Sequence, residues 1–210
     1  MRGFFLSGLC LLHAGVLLAQ QDLTLHFMHD VYQSDLTNPA ILPKNTFSFG
    51  TPLASANSNS FRNTGFTYRD LVRKRANDSL YFDFDNMINS LDDRNYFSTE
   101  NTFEILSFRF RIRSLYLGVG VTEKMAMKFS YPRDLLALLW RGNGAFIGND
   151  AILDGLGLDI THYREYAVSA GYKMDRLTPA VRVKFLSGML NIWTEKSNLA
   201  LSTDPDDYDL

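Results

Sequence analysis

The sequence predicts an all-β fold, an antiparallel up-and-down transmembrane β-barrel of which about six or seven strands are present. Three observations support this prediction. A short apolar leader runs from Met1 to about Gln20, and most of the remaining chain alternates apolar and polar side chains over strand lengths. The connections between these segments are alternately long and short. Alternation with a period of two is typical of strands, and such a leader directs a chain out of the cytoplasm.

The leader has the three parts of a secretory signal peptide, which we assign to residues 1–19. Arg2 supplies the positive charge, an apolar stretch runs from Phe4 to Leu18, and Ala19 is the small residue before a cleavage site. After it we expect a periplasmic leading segment at 20–44 and the amino-terminal part of an outer-membrane barrel at 45–210. The predicted location is therefore the outer membrane of a bacterium.

Composition excludes several other classes. With 210 residues, 46% hydrophobic and 21% charged, the chain suits one folded unit and not a disordered one. A net charge of -2 gives no overall attraction to nucleic acid, so we expect no such partner. Cys10, the only cysteine, lies in the leader, and Leu9 stands where a lipoprotein signal needs a small residue. No later stretch reaches the roughly 20 apolar residues of a membrane helix.

The alternating segments are long enough to cross a membrane. In one of them Leu106, Phe108, Phe110 and Ile112 share a face, and Ser107 with three arginines forms the other. A soluble β-sandwich also alternates, but its strands usually have about 5–6 residues, whereas a tilted membrane strand needs about 9–11. The longer figure is reached at 102–113, 115–130, 158–173 and 178–191, and a short first strand is predicted at 46–50.

The connections support the same topology. If the amino terminus starts in the periplasm, the first strand runs outward and the outer loops should be the long ones. The long connections are 52–98 and 131–157, and the short ones are 113–114 and 173–177. The long loops are therefore assigned to the outside.

Two short helices are predicted in the long connections. In 131–141, Pro132 suits a first helical position, Asp134 favours the helix start and Gly142 ends it. Leu135, Leu138 and Leu139 would form a stripe against the barrel rim, with a membrane-interface or ligand-gating helix as the alternative. A second, weaker candidate is 85–91, and 52–60 is predicted to be an exposed loop.

Three motifs resemble a known family. They are Asn38-Pro39-Ala40, then Tyr131-Pro132-Arg133-Asp134-Leu135-Leu136 leading to Gly142-Asn143, and Lys184-Phe185-Leu186-Ser187-Gly188. Together they resemble a family of Bacteroidota outer-membrane β-barrels described only as a domain of unknown function. The Asn-Pro-Ala motif is also similar to fatty-acid-transporter barrels and to gliding and type 9 secretion accessory barrels. The resemblance implies no reaction and no catalytic residues.

Members of that family are longer than this chain, and its strands are too few to close a barrel. The smallest bacterial barrels have about eight strands, and an unpaired sheet edge is not tolerated in lipid. We therefore expect the sequence to be the amino-terminal part of a longer protein.

Other clusters of reactive residues give no site. His26, His29 and Asp30 lack further metal ligands, and the acidic run 204–209 lacks the glycine and final glutamate of a calcium loop. Ser169 and Ser187 have no catalytic context. Polar loops account for the carboxylates that remain, at Asp83, Asp85, Asp92 and Asp93. We predict no enzyme, no metal and no cofactor.

The best candidate site is a basic set on the polar faces of the strands. These side chains would face the barrel lumen and attract anionic solutes, or would pair there with acids such as Glu165 and Asp175. The set comprises Arg109, Arg111, Arg113, Arg182 and Lys184.

Three functions remain open. The first is a barrel in outer-membrane lipid that conducts or binds small or apolar molecules. The second is a structural or accessory barrel that works through partner proteins in secretion or surface assembly. The third is a soluble secreted β-sandwich that acts as a binding module.

Overall fold

The computed structural model describes residues 26–28, 31–42, 44–52 and 55–205. The predicted signal peptide with Cys10, the pair His29 and Asp30, and the end of the acidic run at 206–209 lie outside the described residues. The predictions made for them stay predictions.

The described chain is mostly β structure with a few short helices. Its strands and helices, in order, are a 3₁₀ helix Tyr32–Leu36, β1 Phe47–Gly50, β2 Asn57–Asn63, α1 Tyr68–Leu71, β3 Val72–Lys74, β4 Leu80–Phe82, α2 Phe84–Ser90, β5 Arg94–Ile112, β6 Leu115–Pro132, α3 Arg133–Arg141, a 3₁₀ helix Asn143–Phe146, β7 Asp150–Ile152, β8 Gly157–Tyr172, β9 Ala180–Ile192 and β10 Ala200–Ser202.

The main sheet is antiparallel and has six strands, as the sequence predicts for this region. Its order is β1-β5-β6-β8-β9, and β2 pairs with β5 as well. Two small sheets, β3-β4 and β7-β10, accompany it. No helix in the described ranges is long and apolar enough to span a membrane.

The first strand is interrupted, which the sequence does not predict. Gly50 pairs with Ser107 and Asn57 with Phe103, so six residues separate the two paired stretches on this side and only three separate them on β5. The prediction of an exposed loop over 52–60 is therefore wrong from Asn57 onward. β2 consists mostly of Asn and Ser and has no apolar alternation, so only its pairing with β5 makes it a strand. β5 begins at Arg94 instead of the predicted 102, and its pairs with β2 run from Phe103 back to Phe97.

The helices begin and end close to the predicted positions. α3 begins at Arg133, one residue later than predicted, with Pro132 as its N-cap, and Gly142 at its end has φ of 74°. Such a positive φ favours glycine, which has no Cβ to clash. α2 begins after Asp83, whose carboxylate accepts a hydrogen bond from the Asn86 backbone N–H.

The chain divides into two compact units. Unit 1 comprises the residues up to Ala56 with Glu104–Thr122 and Glu165–Phe185. Unit 2 comprises Asn57–Phe103, Glu123–Arg164 and Leu186 onward. Unit 2 has a conventional small core, in which Met87, Ile88 and Ala137 are buried and packed by Phe66, Leu71, Phe84, Leu136 and Phe146.

Candidate functional site

The sheet of unit 1 exposes its apolar face. This face carries large hydrophobic side chains from β1, β5, β6, β8 and β9, with Val183 66% and Phe185 69% exposed. Its other exposed members are Phe47, Phe49, Leu106, Phe108, Phe110, Ile112, Leu115, Val119, Tyr166, Val168, Tyr172 and Val181. Soluble proteins rarely expose so large a contiguous apolar surface.

The opposite, polar face of the same sheet is buried. Its buried side chains include Ser48 on β1, Glu104, Ser107 and Arg109 on β5, Thr122 on β6 and Glu165 on β8. Charged residues are seldom buried unless they are paired. The usual distribution of polar and apolar surface is therefore reversed in unit 1.

A segment that precedes the first strand covers the polar face. In this 31–42 segment Ser34 and Asp35 are buried, and a Cβ added to Gly171 of β8 would lie 3.0 Å from Leu42 Cδ2. The segment folds on itself, because Ser34 Oγ donates to the Val31 carbonyl at 2.8 Å. Asn38 Oδ1 accepts from the Ala40 N–H at 2.9 Å, so the Asn-Pro-Ala motif forms a local turn.

Six ionic side chains form a line in which acids and bases alternate, and we call it the charge chain. Arg109 bonds Glu104 Oε1 at 3.0 Å and Asp35 Oδ2 at 2.6 Å. Arg182 lies 4.0 Å from Asp35 Oδ1 and 3.9 Å from Glu165 Oε1. Lys184 ends the line, 3.2 Å from Glu165 Oε2. The order is Glu104, Arg109, Asp35, Arg182, Glu165, Lys184.

The charge chain is balanced and largely buried. It contains three acids and three bases, and every side chain except that of Lys184 is at most 10% exposed. A buried charge is costly without a partner, so each member depends on its neighbours. Asp35 is the only member that does not come from the sheet.

Small residues on β6 and β8 make room for this arrangement. A Cβ added to Gly118 would lie 2.6 Å from Ser169 Oγ, which is closer than packed atoms approach. Two voids of about 20 and 10 Å³ adjoin Asp35, Arg109 and Ser169, and the smaller one also adjoins Arg182. The polar face is therefore filled almost completely by the 31–42 segment and the ionic side chains.

The structure brings together three of the five predicted basic residues. Arg109, Arg182 and Lys184 belong to the charge chain. Arg111 instead donates to Tyr116 Oη at 2.9 Å and lies over its ring. Arg113 lies in the turn after β5 with φ of 55° and is exposed. Of the two predicted acidic partners, Glu165 pairs with Arg182 and Lys184, and Asp175 is exposed between β8 and β9.

Two acidic members of the charge chain were not among the predicted site residues. Glu104 is a single carboxylate between Phe103 and Ile105, and an acid flanked by large apolar residues could have predicted a buried charge. Asp35 lies in a segment without strand periodicity. Nothing in its local sequence indicates that it meets residues 74 and 147 positions later.

Residues 39–210 match a family described as "Family of unknown function (DUF5723)". The chain belongs to this family. The resemblance to a domain of unknown function is thus confirmed, and it extends from Pro39 to the last residue. No curated protein and no solved structure matches the chain.

The Tyr-Pro-helix-Gly-Asn block of this DUF5723 chain has a structural role in unit 2. Tyr131 Oη donates to Asn63 Oδ1 at 2.9 Å, Arg133 Nε to the Leu91 carbonyl at 2.8 Å, and Asp134 accepts from the Ile152 N–H at 2.8 Å. These bonds attach the start of α3 to three other parts of the chain. Gly142 and Asn143 lead from α3 into the following 3₁₀ helix.

α3 packs on a face other than the predicted stripe of Leu135, Leu138 and Leu139. Ala137 is buried and Leu136 packs against the core, whereas Leu139 is 73% exposed. Trp140 stacks on Phe84 of α2 with ring centroids 4.1 Å apart. With this contact, Leu136 and Ala137 face the core of unit 2.

The remaining polar candidates have local structural roles. Asp83 caps α2, Asp85 pairs with Arg141 at 2.8 Å, and Asp93 lies 3.5 Å from Arg133. In the part of the chain that the structure describes, no three His, Cys, Asp or Glu side chains form a group able to hold a metal ion.

Proposed function

We propose that this chain is part of a bacterial outer-membrane β-barrel protein of the Bacteroidota type, in which the apolar face of unit 1 contacts lipid. The reversed sheet of unit 1 supports the proposal. Transmembrane barrels carry apolar side chains outward and polar side chains inward, which is the opposite of a soluble domain. Under this proposal the charge chain faces the barrel interior.

The lengths of the strands also support a membrane-spanning barrel. β5 has 19 residues, β6 has 18, β8 has 16 and β9 has 13. All four exceed the about 9–11 residues that a tilted strand needs to cross a bilayer. Few soluble domains have several neighbouring strands of this length, since their strands average about 5–6 residues.

The β-sandwich alternative fits less well. A sandwich buries the apolar faces of two sheets against each other and leaves the polar faces in water. In the described ranges of unit 1, the polar face is the covered one. A sandwich would therefore need a further sheet on the apolar face and would not explain the buried charges.

We propose that the barrel conducts or binds small molecules and that the 31–42 segment closes its interior in the described state. Passage of a solute then requires this segment to move. The second candidate is an accessory barrel that acts through protein partners. The balance of the charge chain favours it, because three acids and three bases neutralise one another without a bound solute. In that case the segment would stay in place.

Membrane fractionation with heat-modifiable gel migration tests the location and the fold. We expect the full protein in the outer-membrane fraction, with faster migration before boiling than after it, because closed barrels resist the detergent of the gel. Recovery in the aqueous fraction, with the same migration before and after boiling, would overturn the proposal.

Conductance in planar bilayers separates the two roles. For a conducting barrel we expect small or intermittent currents in the wild-type protein and larger ones in Asp35→Asn, since this change removes the charge that joins the 31–42 segment to Arg109 and Arg182. Closed behaviour in both proteins, together with partner proteins that co-purify after mild extraction, would favour the accessory role.

A further inference from the structure

The carboxylate of Asp35 lies between two buried guanidinium groups. Arg109 and Arg182 are 7% and 8% exposed, and both approach Asp35 from the sheet. We infer that these two arginines form a binding site for one small carboxylate, which Asp35 fills in this structure as a ligand supplied by the chain itself.

Asp35 fills this site incompletely. Its Oδ2 is 2.6 Å from Arg109 Nε, but its Oδ1 is 4.0 Å from the nearest Arg182 nitrogen. Within the described residues, neither Asp35 Oδ1 nor Arg182 Nε has a hydrogen-bond partner, although both atoms are buried. A carboxylate that is not tethered to the backbone can turn to meet both arginines. The site therefore suits a free carboxylate better than the tethered one.

The charges around the site set the charge of the ligand. Without Asp35, Glu104 and Glu165 remain opposite Arg109, Arg182 and Lys184, which leaves one positive charge in excess. A single negative charge restores the balance. A dianion such as sulfate would exceed it, and a neutral molecule would leave a buried charge without compensation.

The shape of the donors favours a carboxylate over a spherical halide. A guanidinium group presents its N–H donors in a plane and binds the two oxygens of a carboxylate side by side. Arg109 comes from β5 and Arg182 from β9, with two strands between them, and together they offer more donors than a halide can use. The adjacent voids of about 20 and 10 Å³ give only a little extra room. The ligand class is thus a small monocarboxylate.

For the natural ligand the inference rests on the proposed function. A carboxylate solute that enters the barrel interior would compete with Asp35 for Arg109 and Arg182. Its binding would release the contact that the 31–42 segment makes through Asp35. The identity of the site itself does not depend on where the protein is located.

The test is chemical rescue of Asp35→Ala in the full purified chain. Thermal unfolding is measured in sodium formate and in sodium chloride at equal ionic strength. We expect a lower Tm than the wild type in chloride, and recovery of most of this loss in formate. If the variant does not fold in chloride, the folded fraction after refolding in formate and in chloride gives the same comparison.

Four controls make the result specific. Wild-type protein and Asp85→Ala, which breaks an exposed ion pair with Arg141, should show no difference between formate and chloride. Asp35→Asn should lose stability without rescue, because its amide occupies the space. The double variant Asp35→Ala/Arg182→Gln lacks the excess positive charge, so its Tm should be the same in formate and in chloride.

Equal behaviour of Asp35→Ala in formate and chloride would overturn the inference, as would rescue that persists after Arg182→Gln. Neither result bears on the proposed function, because thermal unfolding does not depend on the location of the protein. Conversely, an aqueous location would leave the rescue experiment unchanged and would remove only the role of a solute in the barrel interior.

Discussion

The two units of this chain bury opposite kinds of side chain. Unit 2 encloses aliphatic and aromatic groups around Met87, Ile88 and Ala137. Unit 1 encloses the charge chain, and among the described residues its only buried hydrophobic side chains are Tyr116 and Ala167. Unit 2 thus buries apolar side chains, whereas unit 1 buries charged side chains and exposes apolar ones. Substitutions with opposite effects in the two units can test this comparison.

The largest effect is expected from Arg109→Ala in unit 1. The change leaves the carboxylates of Asp35 and Glu104 buried without their shared partner, which costs about 3–5 kcal/mol. Urea unfolding of the full protein measures the loss. The control is Arg62→Ala, an exposed residue of β2, for which we expect a change below about 0.5 kcal/mol. Similar values for both variants would mean that the charge chain does not stabilise unit 1.

The next largest effect is expected from Ile88→Ala in unit 2. Ile88 is 1% exposed, so its truncation leaves a cavity and should cost about 3 kcal/mol. In unit 1, Val183→Ala should cost much less, because Val183 is not packed in a protein core. Urea unfolding measures both variants, and an equal loss in the two would contradict the contrast between the units.

A charge on the apolar face of unit 1 should have a smaller but more informative effect. Val183→Arg should lower the stability of the membrane-inserted protein by about 2 kcal/mol, since a lipid-facing arginine is unfavourable in a barrel. Reversible unfolding from lipid vesicles measures this. Leu139→Arg on the exposed side of α3 is the matched control and should be nearly neutral. If the two variants behave alike, the apolar face of unit 1 does not contact lipid.

The smallest effect concerns pH and the start of α1. Hydrogen bonds from the Thr67 side chain and then its backbone N–H lower the pKa of Asp70. The ionised form is therefore favoured by folding. Its contribution is complete above the ordinary Asp pKa of about 3.9 and is lost as the pH falls through the lowered value. Asp70→Asn should remove this part of the pH dependence of unfolding, and an unchanged acid profile would refute the assignment.

The sequence predicted the strands of unit 1 well and the polar strands of unit 2 poorly. From Leu106 to Val121 and from Tyr166 to Phe185 the alternation of side chains is strong, because one face is apolar. β2 and the start of β5 lack this signal, since Asn, Ser and Thr dominate there. Their structure depends on pairing between distant segments, which a local pattern does not contain.

The same difference explains which part of the candidate site was found. Arg109, Arg182 and Lys184 lie on strands in which the alternation of apolar and polar side chains predicts the two faces. Asp35 lies outside any periodic segment, and its partners are distant in sequence, so no local rule could select it. The end of α3 at Gly142 was predicted because a glycine stop acts within one helical turn, whereas Asp83, assigned to a polar loop, caps α2.

The separation of Asp35 from its partners also bears on the order of folding. Its bond to Arg109 closes a loop of 74 residues, and its contact with Arg182 closes one of 147 residues. Contacts between such distant residues form late, because closing a long loop costs entropy before any contact is gained. Arg182 lies on β9, the last strand of the main sheet. Asp35 therefore acquires its second arginine only when β9 is in place, so its full burial follows the pairing of β8 with β9.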